Sequence, residues 1–131
     1  MNSVLDSWLS DVRARPAIRF PRAIVADGER TVHLGPRNEF AKVRVKFEPA
    51  DAFECSMGGV PGDADSVAFA EAAVLGVLDA LITSAPYPVL KVRVVIEKIE
   101  VDPIDSSEQA FRLAGRDAAL KALGVISQVR Q

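Results

Sequence analysis

Residues Val101–Leu123 read VDPIDSSEQAFRLAGRDAALKAL, and the parsing of this stretch decides the fold. Asp105 stands where an N-cap belongs, with Glu108 three residues on, the spacing of an acidic capping box. Ser106 and Ser107 fill the first turn, where negative and polar groups complement the helix dipole. Beyond them Phe111, Ala114, Ala118 and Ala122 recur at helical spacing and form a stripe to be buried, while Arg112, Arg116 and Lys121 fall on the wet side. Asp117 and Lys121 are placed for an i,i+4 ion pair.

Upstream, Ala41–Glu48 reads AKVRVKFE, strict period-2 alternation. Ala41, Val43, Val45 and Phe47 point one way, and Lys42, Arg44, Lys46 and Glu48 the other, as in a sheet with one buried and one wet face. Pro88–Glu97, PVLKVRVVIE, repeats the pattern with Leu90, Val92, Val94 and Ile96 inward. Lys91 and Arg93 join the wet face, and Val95 is its apolar exception. Between these strands, SMGGVPGDAD (Ser56–Asp65) is a loop in which Asp63 or Asp65 suits a helix cap. Ser66–Thr83 then reads as a helix whose only charges are Glu71 and Asp79, so it should be largely buried against the sheet. Pro86 and Pro88 stop it. Nearer the N-terminus, Val4–Arg13 has Val4, Leu5, Trp8, Leu9 and Val12 at helical spacing, and Pro16 and Pro21 suit an edge strand. Arg22–Ala26, the turn signal DGER (Asp27–Arg30) and TVHL (Thr31–Leu34) together read as a hairpin.

The bulk properties bound the function. The chain of 131 residues is expected to be one domain, with 49% hydrophobic and 26% charged residues, the composition of a globular protein. Its single cysteine, Cys55, cannot form an internal disulfide, so a reducing, cytoplasmic location is the default expectation. No apolar run approaches the roughly 18 residues that span a bilayer, and the first fifteen residues lack a signal peptide's basic and apolar regions. The net charge of −2 excludes a generally polybasic nucleic-acid binder. The charge is uneven, however: Met1–Glu48 carries nine Lys/Arg against six Asp/Glu, and Pro49–Gln131 seven against twelve.

Taken with its upstream strand, Tyr87–Leu123 resembles the domain IV segment of translation elongation factor G, which carries a YPV opening, a strand, a loop and then a VDSSE-type helix start. Gly35–Pro49 (GPRNEFAKVRVKFEP) is similar to that family's glycine-rich loop and AKV strand, and Gly58–Ala80 matches its loop and helix weakly. The resemblance covers Gly35–Leu123. It implies an α/β (α+β) fold, a mixed four-stranded sheet with two helices on one face and a left-handed βαβ crossover, against the right-handed prior. On this reading residues 35–131 form the domain IV-like core. Residues 1–34 are an N-terminal segment, a short helix or tail plus an edge strand or hairpin, packing on the same domain.

The resemblance also places two tip loops, Gly35, Pro36, Arg37 and Asn38 in the first and Asp102 with Pro103 in the second. Pro36 and Asn38 replace family glycines, and Asp102 falls where the family has a histidine that enters the ribosomal decoding centre. An acid there repels phosphate. No G-x-x-x-x-G-K-[ST] motif is present, so neither a nucleotide site nor translocase activity is expected.

Other chemistry-bearing residues read as structural. His33 is the only histidine and has no ligand partners at metal spacing. Cys55 has no basic neighbour in sequence and is expected as a buried small residue, and Ser106 and Ser107 lack a nucleophile-elbow context. GGVPG (Gly58–Gly62) lacks the lysine of a phosphate cradle, and Glu97, Glu100, Asp102 and Asp105 fit no calcium loop. No catalysis, cofactor or metal is expected. What stands out is a basic sheet face of Lys42, Arg44 and Lys46, extended by Lys91, Arg93 and the tip residue Arg37. The expectation is therefore a non-enzymatic, stand-alone binding module that contacts ribosome or RNA backbone through this face, without base stacking. The alternative is a protein-interaction or homodimeric module that kept the fold and lost RNA binding, with Trp8 closing the dimer.

Overall fold

In the computed structural model, residues 19–34, 37–83 and 88–129 are described. Four strands and two helices follow one another: β1 (Ile24–Leu34), β2 (Arg37–Pro49), β3 (Glu54–Ser56), α1 (Ala64–Ile82), β4 (Val92–Val101) and α2 (Glu108–Val129). The sheet order is β1-β2-β4-β3. β1 pairs antiparallel with β2, β2 antiparallel with β4, and β3 parallel with β4. The sheet is thus mixed, and β3, α1 and β4 form a βαβ unit. The expected segment Val4–Arg13 with Trp8, the loop residues Gly35 and Pro36, and Pro86 lie outside the described residues.

The alternation holds. Ala41, Val43, Val45 and Phe47 of β2 are buried, as are Leu90, Val92, Val94 and Ile96. Phe111, Ala114, Ala118 and Ala122 of α2 meet them on the same face and are fully buried. Phe69 of α1 stacks on Phe111 with ring centroids 4.9 Å apart, and Phe20 stacks on Phe47 at 5.4 Å. Asp63 is the α1 cap, its carboxylate accepting the Ser66 N–H at 3.0 Å.

Three glycines let these layers approach backbone to backbone. A methyl on Gly76 would strike the Arg112 carbonyl, one on Gly115 the Ala73 carbonyl, and one on Gly28 the Ala114 carbonyl. The helices therefore pack on each other, and α2 on β1, at a distance that only an absent side chain permits.

This corrects the reading of DGER. Asp27 and Gly28 are not a turn but the middle of an unbroken eleven-residue strand, with Gly28 opposite Val43. Ile24, Ala26 and Gly28 continue the inward alternation, and Gly28 serves close packing against α2 rather than chain reversal.

A second correction concerns the start of α2. Asp105 and Glu108 do not form a capping box. The cap is Ser107, whose Oγ accepts the Ala110 N–H at 3.1 Å and whose carbonyl accepts the Phe111 N–H at 3.1 Å. Asp102 spends the preceding residues on a turn, so the helix begins later, and Glu108 is its first residue. There it still favours the helix dipole.

β4 also carries a bulge. Arg44 pairs with Lys98 but Val45 with Ile96, which leaves Glu97 as the extra residue. Glu97 and Lys98 are consequently both exposed.

Candidate binding surface: the sheet face and the tip

The open face of the sheet is built by the outward residues of β1, β2, β3 and β4. Arg44 sits at mid-strand beside Asp27, its Nε donating to the carboxylate at 2.9 Å. That hydrogen bond, with the guanidinium charge, lowers the Asp27 pKa from its ordinary value. Lys46 pairs with Glu48 at 2.9 Å, and Arg93 approaches the other Glu48 oxygen at 4.0 Å. The Lys46 hydrogen bond is the main reason that the Glu48 pKa falls. Lys42 lies in register between Glu29 and Glu100, with its Nζ 5.6 Å from the Phe40 ring centroid. Lys98 stands 3.9 Å from Glu100.

The predicted cations are therefore only partly brought together. Lys42, Arg44, Lys46 and Arg93 share the face. Lys91 lies just before β4, where its backbone bridges Arg19. Arg37 begins β2 at the opposite end of the sheet, about 30 Å from Lys46 at a rise of some 3.3 Å per residue.

More importantly, the face is not basic. Among the described residues of the four strands five cations, Lys42, Arg44, Lys46, Arg93 and Lys98, share it with six acids, Asp27, Glu29, Glu48, Glu54, Glu97 and Glu100. A groove of about 350 Å³ on this side has the same mixture, with Asp27, Glu29 and Glu100 against Lys42, Arg44, Lys98 and Lys121. Sequence reasoning missed Asp27 and Glu29 because it assigned them to a turn. The signal that could have placed them was the Ile24–Ala26–Gly28 alternation.

At one end of the sheet the β4–α2 loop lies against β2 at Phe40. Asp102 organises that loop: its Oδ1 accepts the N–H groups of Ile104 at 2.8 Å and Asp105 at 2.9 Å. These two bonds, Asp105 first, lower the Asp102 pKa. The Asp102 N–H donates to Ser106 Oγ at 2.8 Å, and Ser106 Oγ donates in turn to the Phe40 carbonyl at 2.6 Å. The Phe40 N–H closes the cross-tie by donating to the Asp105 carbonyl at 3.1 Å. The loop is thus fixed to β2, and it carries Ile104 outward at 89% exposure. Asp102 faces its own loop rather than an approaching partner.

His33 is exposed near this end, paired in register with Asn38. Cys55, expected to be buried, is exposed, because β3 is an edge strand of the sheet. Glu97, Glu100, Asp102 and Asp105 are not gathered: the first lies in the bulge, the second opposite Lys42, and Asp102 is consumed by the turn. Among the described residues no group of three potential ligands could hold a metal ion. No helix among them is long and apolar enough to cross a membrane.

The molecule is thus an α+β domain with a four-stranded mixed sheet covered on one face by two helices. No family model matches the chain. Among solved structures, it is similar to part of ttk003000868 from Thermus thermophilus, with a TM-score of 0.66 and 23% sequence identity. The likeness covers 78% of this chain but 16% of that one. At that identity the likeness is one of fold.

Proposed function

We propose that this chain is a non-enzymatic binding module with an elongation factor G domain IV-like fold that recognises a protein partner rather than RNA. The observation that carries the reading is the charge balance of the sheet face, where five cations meet six acids among the described strand residues. Sequence-independent RNA affinity comes from cations that neutralise phosphates and release counterions. Here Arg44, Lys46 and Arg93 are already held by Asp27 and Glu48, so a phosphate would have to displace a carboxylate and then face its charge. Mixed, paired charges of this kind suit a polar protein interface, where complementarity sets register and specificity.

The test is a titration of a fluorescently labelled RNA, single-stranded and hairpin, read by anisotropy. At physiological salt the expected affinity is weaker than ~100 µM, the weak end of non-specific binding. Submicromolar binding that weakens steeply with salt would refute the reading.

A second reading has its own support. The β4–α2 loop is tied to β2 by hydrogen bonds at Phe40 and exposes Ile104, so a ribosome contact through this loop rather than the face fits the resemblance. Ile104→Asp, which leaves the sheet face intact, separates the two: it would abolish a tip contact and spare one made through the face.

A further inference from the structure

β1 ends the sheet, so one edge of an eleven-residue strand faces away from β2. An exposed edge of that length is a template for pairing with another chain. In an antiparallel ladder the N–H and C=O of alternate residues point to the same side. Two of the groups pointing away from β2 are occupied here. The Glu29 N–H donates to Asp117 Oδ2 at 3.1 Å, and Lys121 Nζ donates to the Asp27 carbonyl at 2.9 Å. Asp117 and Lys121 are themselves an i,i+4 pair at 3.0 Å on α2.

We infer that the Asp117–Lys121 pair is an edge guard. Its carboxylate accepts, and its ammonium donates, where a neighbouring strand's carbonyl and N–H would otherwise do so, at the centre of β1. The arrangement depends on Gly28, which sits between the two guarded residues. With no side chain there, Ala114 and Ala118 of α2 lie directly on the strand, and Asp117, beside Ala118, and Lys121, one turn further on, reach its edge. Asp27 and Glu29 add like charges, which disfavour a second β1 laid symmetrically across the same centre. The guard holds the sheet at four strands, and the occupant it excludes is β1 of a second copy.

The test uses the full chain and its Asp117→Ala/Lys121→Ala variant. Loss of the guard should produce a concentration-dependent dimer by light scattering, where the unmodified chain stays monomeric. Adding Glu29→Pro removes the outward N–H at a position where an edge strand tolerates proline, and should restore the monomer. Independently of association, Asp117→Ala should speed hydrogen exchange of the Glu29 amide about five- to tenfold, the loss of one hydrogen bond. Circular dichroism checks that the variants are folded. A folded double variant that remains monomeric at near-millimolar concentration would overturn the inference. So would unchanged Glu29 exchange, or an unmodified chain already dimeric through β1 and dissociated by Glu29→Pro.

Discussion

Gly28→Ala is the perturbation that most directly probes how this fold is closed. The added methyl would fall on the Ala114 carbonyl oxygen, 2.7 Å from the Ala118 nitrogen and 2.9 Å from the Ala118 Cβ. Non-bonded heavy atoms prefer about 3.5–4.0 Å, so α2 must retreat by roughly an ångström, and such a gap forfeits a quarter to a half of the dispersion energy across it. Neither the carbonyl nor the amide can rotate away, because both belong to the helix backbone. Overpacking costs ~1–3 kcal/mol, and alanine returns ~0.4–1 kcal/mol by restricting the unfolded chain. The net expectation is a destabilisation of about 1.3 kcal/mol. For 131 residues the unfolding entropy makes each kcal/mol worth ~3–4 °C, so the melting temperature should fall by about 5 °C. Gly124→Ala is the control, since nothing lies within 4 Å of its added methyl. In a helix it should stabilise, by up to ~1 kcal/mol. Urea unfolding followed by circular dichroism measures both. If Gly28→Ala is neutral or stabilising like Gly124→Ala, the backbone contact between β1 and α2 is wrong.

Other outcomes follow from the same geometry. Phe111→Ala removes a fully buried ring stacked on Phe69 and should cost ~3–5 kcal/mol in urea unfolding. Ser107→Ala should cost about 1 kcal/mol as the loss of an N-cap, and Asp105→Ala, whose contribution to the cross-tie is a backbone carbonyl, clearly less. Hydrogen bonds lower the pKa values of Asp27, Asp63 and Asp102 from the ordinary 3.8. Their stabilisation is therefore present above that value and lost as pH falls through the lower folded values. The melting temperature should stay level from neutrality to about pH 5 and drop below about pH 4. Asp102→Asn, which keeps the acceptor oxygen but cannot ionise, should lessen that drop.

Much of the architecture is legible in the chain because period-2 alternation is a strong signal wherever one face is buried. Ala41 to Phe47 and Leu90 to Ile96 point inward as the pattern requires, and the Phe111–Ala122 stripe lies where helical spacing puts it. Local chemistry misleads where one residue type serves two purposes. Asp27-Gly28 is a turn signal, but the same glycine serves a strand that a helix must touch, and only the packing of α2 decides between them. Asp105-Ser106-Ser107 offers several cap donors in a row. The choice fell to Ser107 because Asp102, whose use of its carboxylate depends on the fold of the loop, takes up the preceding residues. The surface was the least legible. Lys42, Arg44 and Lys46 form a basic stripe in one strand, but the charge of a face is a sum over strands. Asp27, Glu29 and Glu100 arrive from segments distant in sequence.

Sedimentation of the chain with ribosomes from its own source on sucrose gradients, at low and moderately high salt, tests that surface most directly. With a charge-balanced sheet face the expected result is that the chain stays at the top of the gradient at both. Recovery with the small subunit at low salt, lost at high salt and on Lys42→Glu/Arg44→Glu, would show that the face binds RNA and contradict the proposed function.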